Sequence, residues 1–162
     1  MAPIFAEETL MGRIDDRLRA LGLTLPTVPT PIANYVPAKR VGSLVTTAGQ
    51  VSIAGGRAYQ GQLGGDVGLD AGREATRACA INCLAALLTV LDSLDRVRQV
   101  VSVHGFVNSA PGCDGQAAAM DGASDLLVAV FGDAGRHTRT AVGVAGLPFN
   151  YTASVYILVE AD

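Results

Sequence analysis

The sequence predicts an α+β (α/β two-layer) domain in which two main helices cover one face of a mixed sheet, with a further helix near the N-terminus. Two observations carry this prediction. Segments with apolar residues at helical spacing alternate with short segments that are rich in β-branched residues. The length of 162 residues also suits one domain with a substantial core. The predicted order is helix, strands, helix, strand, helix, strand, strand.

The N-terminal part is predicted to hold one helix, an extended segment and several short strands. Apolar residues recur every three or four positions between Leu10 and Leu21, which predicts an amphipathic helix over residues 7–21 that ends at Gly22. Prolines between Pro26 and Pro37 favour an extended chain over a helix. Strands are then predicted at residues 39–41, 44–51 and 57–59.

The C-terminal part is predicted to hold two buried helices and three strands. Asp70 is the predicted N-cap of a helix over residues 69–94, whose buried face contains Ala75, Cys79, Ala86 and Val90. Valines predict a strand over residues 96–108. A second helix over residues 116–132 is predicted to bury five residues, namely Met120, Ala123, Leu127, Val130 and Phe131. Strands beginning at Arg139 and spanning residues 152–160 follow.

Charge and composition limit the partners that we expect. The formal net charge is −3 and basic residues are scattered, so no nucleic-acid partner is predicted. Charged residues make up 17% of the chain and hydrophobic residues 49%. Because two helices cover only one face of the sheet, the other face would stay bare in a monomer, which favours a homo-oligomer.

Cysteine use and the N-terminus favour a reduced, cytoplasmic protein. Cys79 and Cys83 lie in an Ala- and Leu-rich helical segment, where free cysteines behave as small core residues. Neither a CxxC spacing nor a His/Cys cluster is present, so no metal site is predicted. The N-terminus lacks the pattern of a signal peptide, and no apolar run approaches the ~18 residues that a membrane span needs.

Arg139 is the first candidate functional residue. Apolar and small residues alternate from Thr140 to Leu147, which predicts a strand with Arg139 at its entrance. An arginine keeps its charge and presents a planar fork of N–H donors that suits a carboxylate. We therefore interpret Arg139 as an anion clamp; the alternatives are a solvated strand-end arginine and an inter-subunit salt bridge.

Seven sequence blocks occur in an order that resembles the RidA/YjgF family. They are PIANYVP at 31–37, GSLVTTAGQ at 42–50, GQLG at 61–64, AINCLA at 80–85, GASDLL at 122–127, GDAGRHTR at 132–139 and VGVAGLP at 142–148. The resemblance covers about residues 20–160. The N-terminal helix and the Gly-Ala-Ser-Asp-Leu block indicate a longer subgroup of that family.

The resemblance implies a chorismate-mutase-like fold with a mixed six-stranded sheet, and a homotrimer with ligand sites in clefts between subunits. It divides the chain into an N-terminal helical extension, residues 1–25, and a single RidA-like domain, residues 26–162. Members of the family hydrolyse reactive imines and enamines to keto acids and ammonia. They use no metal and no organic cofactor, so none is expected here. An older family name is endoribonuclease.

The family's site residues map onto this chain one by one. Arg139 matches the arginine that grips the substrate carboxylate, an interaction that is strong and geometrically selective when bidentate. Tyr35 matches the tyrosine that closes the cleft, although an interface aromatic is an equal alternative. Gly49 lies in the block that lines the cleft. The resemblance therefore implies a small carboxylate-bearing substrate.

Three positions depart from the family pattern. The family's cysteine two residues after the arginine is Ala141, and its glutamate on the last strand is Ser154. A second acidic position of the subgroup is Tyr156. Neither a serine nor a tyrosine is a base near neutral pH without help. Both hydroxyls fall on one face of the predicted strand, where they could bind a substrate or donate a proton.

Five other residues have a structural and a chemical interpretation. His104 is expected to be an interior or interface residue, with replacement of the glutamate as base the alternative. His137 is expected to have a positioning or surface role. Asp121 and Asp125 are expected on a solvated helix face or as a cap. Cys113 is expected to be inert rather than a nucleophile, because no base lies near it in sequence.

The sequence leaves three hypotheses for the function of this protein. The first is a cofactor-free enzyme that acts on a small carboxylate-bearing imine, enamine or related reactive intermediate and is specialised to one metabolic pathway. The second is a non-catalytic trimer that binds a metabolite or a partner protein in the same cleft. The third, a ribonuclease, is disfavoured by the acidic composition.

Overall fold

A computed structural model describes residues 12–162. Helices and strands follow each other in the predicted order. The helices are α1 (Arg13–Ala20), α2 (Leu69–Leu87) and α3 (Gln116–Phe131). The strands are β1 (Ala38–Val41), β2 (Leu44–Thr47), β3 (Gln50–Val51), β4 (Ile53–Ala54), β5 (Arg57–Ala58), β6 (Val97–Asn108), β7 (Thr138–Val144) and β8 (Ala153–Ala161).

Six strands form one mixed sheet, which confirms the predicted architecture. The strand order is β1-β2-β8-β6-β7, and β3 also pairs with β8. Strands β6 and β7 are parallel, whereas the other pairs in this sheet are antiparallel. Strands β4 and β5 form a separate two-stranded ribbon. The long strands β8 and β6 therefore occupy the middle of the sheet, and β7 lies at one edge.

The two faces of the sheet differ in burial. Along β8, alternate residues are buried on the side that α2 and α3 cover, from Ala153 to Ala161. The residues between them, from Ser154 to Glu160, are half-buried on the opposite side. The helices thus cover one face, as predicted, and no element of residues 12–162 covers the other to the same extent.

Helices α2 and α3 pack with very little space between them. A Cβ added at Gly122 would overlap the main-chain carbonyl oxygen of Arg73. The hydroxyl of Thr76 donates a hydrogen bond of 2.7 Å to the carbonyl oxygen of Ala119 across the same interface. Because glycine has no side chain, Gly122 allows the two backbones to approach to this distance.

Helix α1 packs against the rest of the domain. Ile14 and Leu18 are buried in the main core, and the backbone N–H of Ile14 donates to the Asp95 carboxylate at 3.0 Å. Gly22 ends the helix as predicted: its φ is +68°, and its N–H donates to the carbonyl of Arg19 at 2.9 Å. Residues 7–11 of the predicted helix lie outside the described residues.

The sequence predictions for both ends of α2 are wrong. Helix α2 ends at Leu87 rather than at residue 94, and Val90 is 37% exposed instead of facing the core. Beyond Leu87 the backbone tightens into turns, in which the N–H groups of Leu88, Thr89 and Val90 donate to the carbonyl three residues earlier. Gly68, not Asp70, is the N-cap; Asp70 lies in the first turn.

The strand predicted over residues 44–51 is two strands. It is interrupted at Ala48 and Gly49, so that β2 and β3 each pair separately with β8. The break turns the chain out of the sheet for two residues. Gly49 consequently lies at a strand end, where it can form part of a cavity wall.

Candidate ligand site

Arg139 lies on the helix-covered side of the sheet. It is the second residue of β7 and pairs in register with Val103 of β6, which is fully buried. Its Nη1 donates to the Asp121 carboxylate at 2.9 Å and to the Ser124 hydroxyl at 3.2 Å. The side chain is 26% exposed. Arg139 is therefore held by α3 and is neither fully solvated nor buried.

Asp121 lies on a partly solvated face of α3, as expected, and forms ion pairs with two arginines. Besides Arg139, the guanidinium of Arg73 on α2 lies 3.9 Å from the second carboxylate oxygen. The same surface carries Glu74, Arg77 and Asp125, so its charges are nearly balanced. Binding of an anion here therefore depends on the N–H groups of Arg139 that Asp121 does not use.

His137 is connected to the same group through Ser124. Its Nε2 lies 2.9 Å from the Ser124 hydroxyl, and its Nδ1 lies 2.6 Å from the carbonyl oxygen of Gly135. Sequence reasoning assigned no role to Ser124. The available signal was its spacing, since Ser124 follows Asp121 by three residues and shares its helix face.

Tyr35 and Gly49 line one cavity of about 270 Å³. Its other walls come mainly from the proline-rich segment at residues 28–32 and from Gln50 and Val51. Tyr35 is 56% exposed. A Cβ added at Gly49 would lie 3.0 Å from the Ser154 hydroxyl, so Ser154 is directly behind this strand end.

Ser154 and Tyr156 point away from the helices. Tyr156 pairs with His104 across β8 and β6, and their rings stack with centroids 4.5 Å apart. His104 Nε2 also lies 3.0 Å from the Ser102 hydroxyl. Phe106 pairs with Ser154 and completes a polar and aromatic row on this face.

The structure separates the sequence-predicted site residues into two groups. Arg139 pairs with Val103, and Ala141 pairs with the buried Gly105, so both belong to the helix-covered side. Tyr35, Gly49, Ser154 and Tyr156 belong to the cavity and to the uncovered face. None of the four main cavities among residues 12–162 is lined by members of both groups.

The cysteines offer little nucleophilic chemistry. Burial raises the pKa of Cys79 well above its usual range and raises the pKa of Cys83 to about 12. Both belong to the core, as predicted, and Cys113 is half-buried. Within residues 12–162 no group of three His, Cys, Asp or Glu side chains could hold a metal ion. No helix of this part of the chain is long and apolar enough to cross a bilayer.

Comparison with known proteins identifies the family. A family model described as "YjgF/chorismate_mutase-like, putative endoribonuclease" matches residues 15–161. The chain belongs to the YjgF family. The resemblance inferred from the seven blocks is thus confirmed, together with the chorismate-mutase-like fold. Assignment to a longer subgroup stays a prediction.

Three relatives are similar to this chain over nearly their whole length. Protein TCP17 of Trypanosoma cruzi is 41% identical over 154 residues, which cover 93% of this chain and 96% of that protein. The crystal structure of Atu1372 from Agrobacterium tumefaciens, of unknown function, is 40% identical with a TM-score of 0.85, over 92% of this chain and 93% of that one. A candidate endoribonuclease from Shewanella oneidensis is 38% identical with a TM-score of 0.87, over 91% and 98%.

Proposed function

We propose that this YjgF-family protein is a cofactor-free homotrimer that binds a small carboxylate-bearing imine or enamine in clefts between subunits and hydrolyses it to a keto acid. Family membership supports a role in processing small molecules. The observation that carries the proposal is Arg139, whose guanidinium is held at the edge of the sheet with part of its surface open. A reducing, cytoplasmic location accords with three free cysteines.

The substrate carboxylate is assigned to Arg139. Its Nη1 is engaged by α3, whereas Nε and Nη2 have no acceptor among residues 12–162. These two nitrogens form the side-on fork that binds both oxygens of a carboxylate. A charge-assisted hydrogen bond contributes about 1.5–3 kcal/mol, so this pair would dominate the binding of a small substrate.

A site that contains both residue groups requires a second copy of the chain. Within one chain the Arg139 group lies on the covered side of β7, and the Tyr35 cavity lies beyond β8. The uncovered face presents Phe106, Tyr156 and Leu158, which are half-buried and suited to packing against another copy. We therefore propose that Arg139 of one copy completes the cavity of its neighbour.

The proposed reaction is addition of water to the imine carbon. Protonation of the imine nitrogen polarises this carbon, and the resulting carbinolamine collapses to a keto acid and ammonia. The Ser154 and Tyr156 hydroxyls share the face beside the Gly49 strand end and would orient the water. Positioning of this kind, together with the Arg139 fork, contributes several kcal/mol when the geometry is correct.

The test is release of keto acid from freshly generated iminopyruvate. Wild-type protein is expected to exceed the uncatalysed rate, and Arg139→Ala is expected to return to it. Arg136→Ala is the matched control, because Arg136 lies three residues earlier, is exposed and pairs only with Asp133 among the described residues. Equal background rates for wild type and Arg139→Ala would exclude general imine hydrolysis.

One observation favours a second function, binding without turnover. None of the residues that line the Tyr35 cavity is acidic, and the family's glutamate is replaced by Ser154. Binding of pyruvate that is lost in Arg139→Ala, in a protein that does not hydrolyse iminopyruvate, would identify a metabolite-binding protein. The endoribonuclease activity that the family description suggests is not supported by this sequence, because its net charge is −3.

A further inference from the structure

We infer that Ser124 and His137 are positioning residues that fix the orientation in which Arg139 receives a carboxylate. This inference rests on the proposed function, since it concerns the same arginine. Neither residue needs to touch the substrate. They act through Arg139 Nη1, which uses both of its N–H groups on α3, one on Asp121 and one on Ser124.

The Gly135 carbonyl fixes the direction of the first hydrogen bond in this series, and a neutral imidazole then sets the direction of the second. The Gly135 carbonyl can only accept, so His137 Nδ1, at 2.6 Å, carries the proton. In a neutral imidazole Nε2 is then an acceptor, and the Ser124 O–H donates to it at 2.9 Å. The remaining lone pairs of Ser124 Oγ point elsewhere and accept from Arg139 at 3.2 Å.

This arrangement leaves the hydroxyl no competing orientation. A serine near the middle of a helix ordinarily rotates its hydroxyl towards the carbonyl one turn earlier. With His137 as its acceptor, Ser124 instead presents a lone pair to Arg139. Thr138, the residue between His137 and Arg139, donates its hydroxyl to the Val101 carbonyl at 3.0 Å and holds this segment against β6.

The consequence is a guanidinium fixed in its plane. Arg139 Nη1 donates one hydrogen bond to the Asp121 carboxylate and a second, in a different direction, to the Ser124 hydroxyl. Two acceptors about 3 Å away therefore hold this nitrogen in place. The Nε and Nη2 edge then faces outward in one orientation. A preorganised fork binds more tightly than a mobile one, because less side-chain freedom is lost when the ligand arrives.

The experiment measures pyruvate binding by isothermal titration calorimetry, which reads every variant including Arg139→Ala, and separately kcat and KM with iminopyruvate. Ser124→Ala and His137→Ala are each expected to weaken pyruvate binding about five- to tenfold, which is the worth of one ordinary hydrogen bond. KM should rise with kcat nearly unchanged, because the carboxylate contact is equal in the ground and transition states.

Two further variants distinguish positioning from general damage. The double variant is expected to bind pyruvate no more weakly than either single one, because both residues act through one hydrogen bond. Ser124→Thr keeps the hydroxyl and is expected to restore binding. Asp125→Asn, at the exposed position next to Ser124, is the matched control and should bind like wild type.

The outcomes separate this inference from the proposed function. Wild-type binding in Ser124→Ala and His137→Ala, alongside loss in Arg139→Ala, would overturn the inference and leave the proposed function standing. Weakened binding in both variants of a protein that does not hydrolyse iminopyruvate would support the inference and remove only the catalytic step. If wild type binds pyruvate no better than Arg139→Ala, the inference and the proposed carboxylate site both fail.

Discussion

Replacing Gly122 with alanine is expected to destabilise the protein by forcing α2 away from α3. The added methyl group would overlap the carbonyl oxygen of Arg73 and lie close to the Thr76 hydroxyl. The carbonyl belongs to the backbone of α2, so it cannot rotate aside as a flexible side chain would. Gly122 also lies between Asp121 and Ser124, and a shift of α3 would displace both residues from Arg139.

The size of the effect follows from two opposing contributions. In the interior of an ordinary exposed helix, glycine to alanine is favourable by about 1 kcal/mol. Overpacking of a tight interface costs about 1–3 kcal/mol or more. Because the obstacle is a rigid backbone atom, we expect an overpacking cost near the upper end of this range, about 3 kcal/mol. After the gain of about 1 kcal/mol is subtracted, the free energy of unfolding falls by about 2 kcal/mol. For a chain of this size that corresponds to a fall in Tm of about 4–8 °C.

The assay is urea unfolding followed by circular dichroism, at one fixed protein concentration because association would alter apparent stability. Gly146→Ala is the matched control: a Cβ there meets no atom within 4 Å, and its φ is not positive. The control is expected to be neutral or slightly stabilising. Gly122→Ala that is as stable as the control would refute the close packing of α2 and α3.

Three further predictions concern the core. At pH 8 a thiol reagent is expected to modify Cys113 first, because burial raises the pKa of Cys79 and Cys83; rapid reaction of all three native thiols would contradict this. Ile157→Ala is expected to cost about 2–5 kcal/mol in urea unfolding, whereas Leu158→Ala, on the other face of β8, should mainly weaken association in sedimentation experiments. Deletion of residues 1–25 is expected to lower Tm, since α1 buries Ile14; an unchanged Tm would make this extension dispensable.

The fold follows from periodicity wherever periodicity is strong. Helix α3 buries all five of its predicted core residues, because they lie on one helical face. The predicted end of α2 is wrong because apolar residues continue past Leu87, whereas the helix ends there. Hydrophobic spacing reports which residues are buried more reliably than where a helix ends.

The candidate site was less predictable from the sequence than the fold, because it depends on which residues pair between neighbouring strands. The sequence places Arg139 at a strand entrance, but only the pairing with Val103 shows that it faces the helices. The contacts of Asp121 and Ser124 with Arg139 could not be predicted from the sequence either, because they form only when α3 packs on β7. Ser154 and Tyr156 were easier, since residues two apart on a strand share a face whatever their partners.

The opposite placement of Arg139 and the Tyr35 cavity leads to a last prediction about how a complete site is built. If the two parts come from neighbouring copies, then Arg139→Ala and Gly49→Val damage different halves of each site. Gly49→Val fills the cavity end near Ser154, where a Cβ already approaches the hydroxyl to 3.0 Å. Each variant alone is therefore expected to lose pyruvate binding.

A mixture of the two variants separates a shared site from a site within one chain. When equal amounts are unfolded, combined and refolded, about one quarter of the interfaces in a cyclic trimer pair an intact Arg139 with an intact cavity. Pyruvate binding should then return to about one quarter of the wild-type stoichiometry. A site contained in one chain would give no recovery, because every chain carries one defect. Counting bound pyruvate rather than turnover makes this result independent of whether hydrolysis occurs.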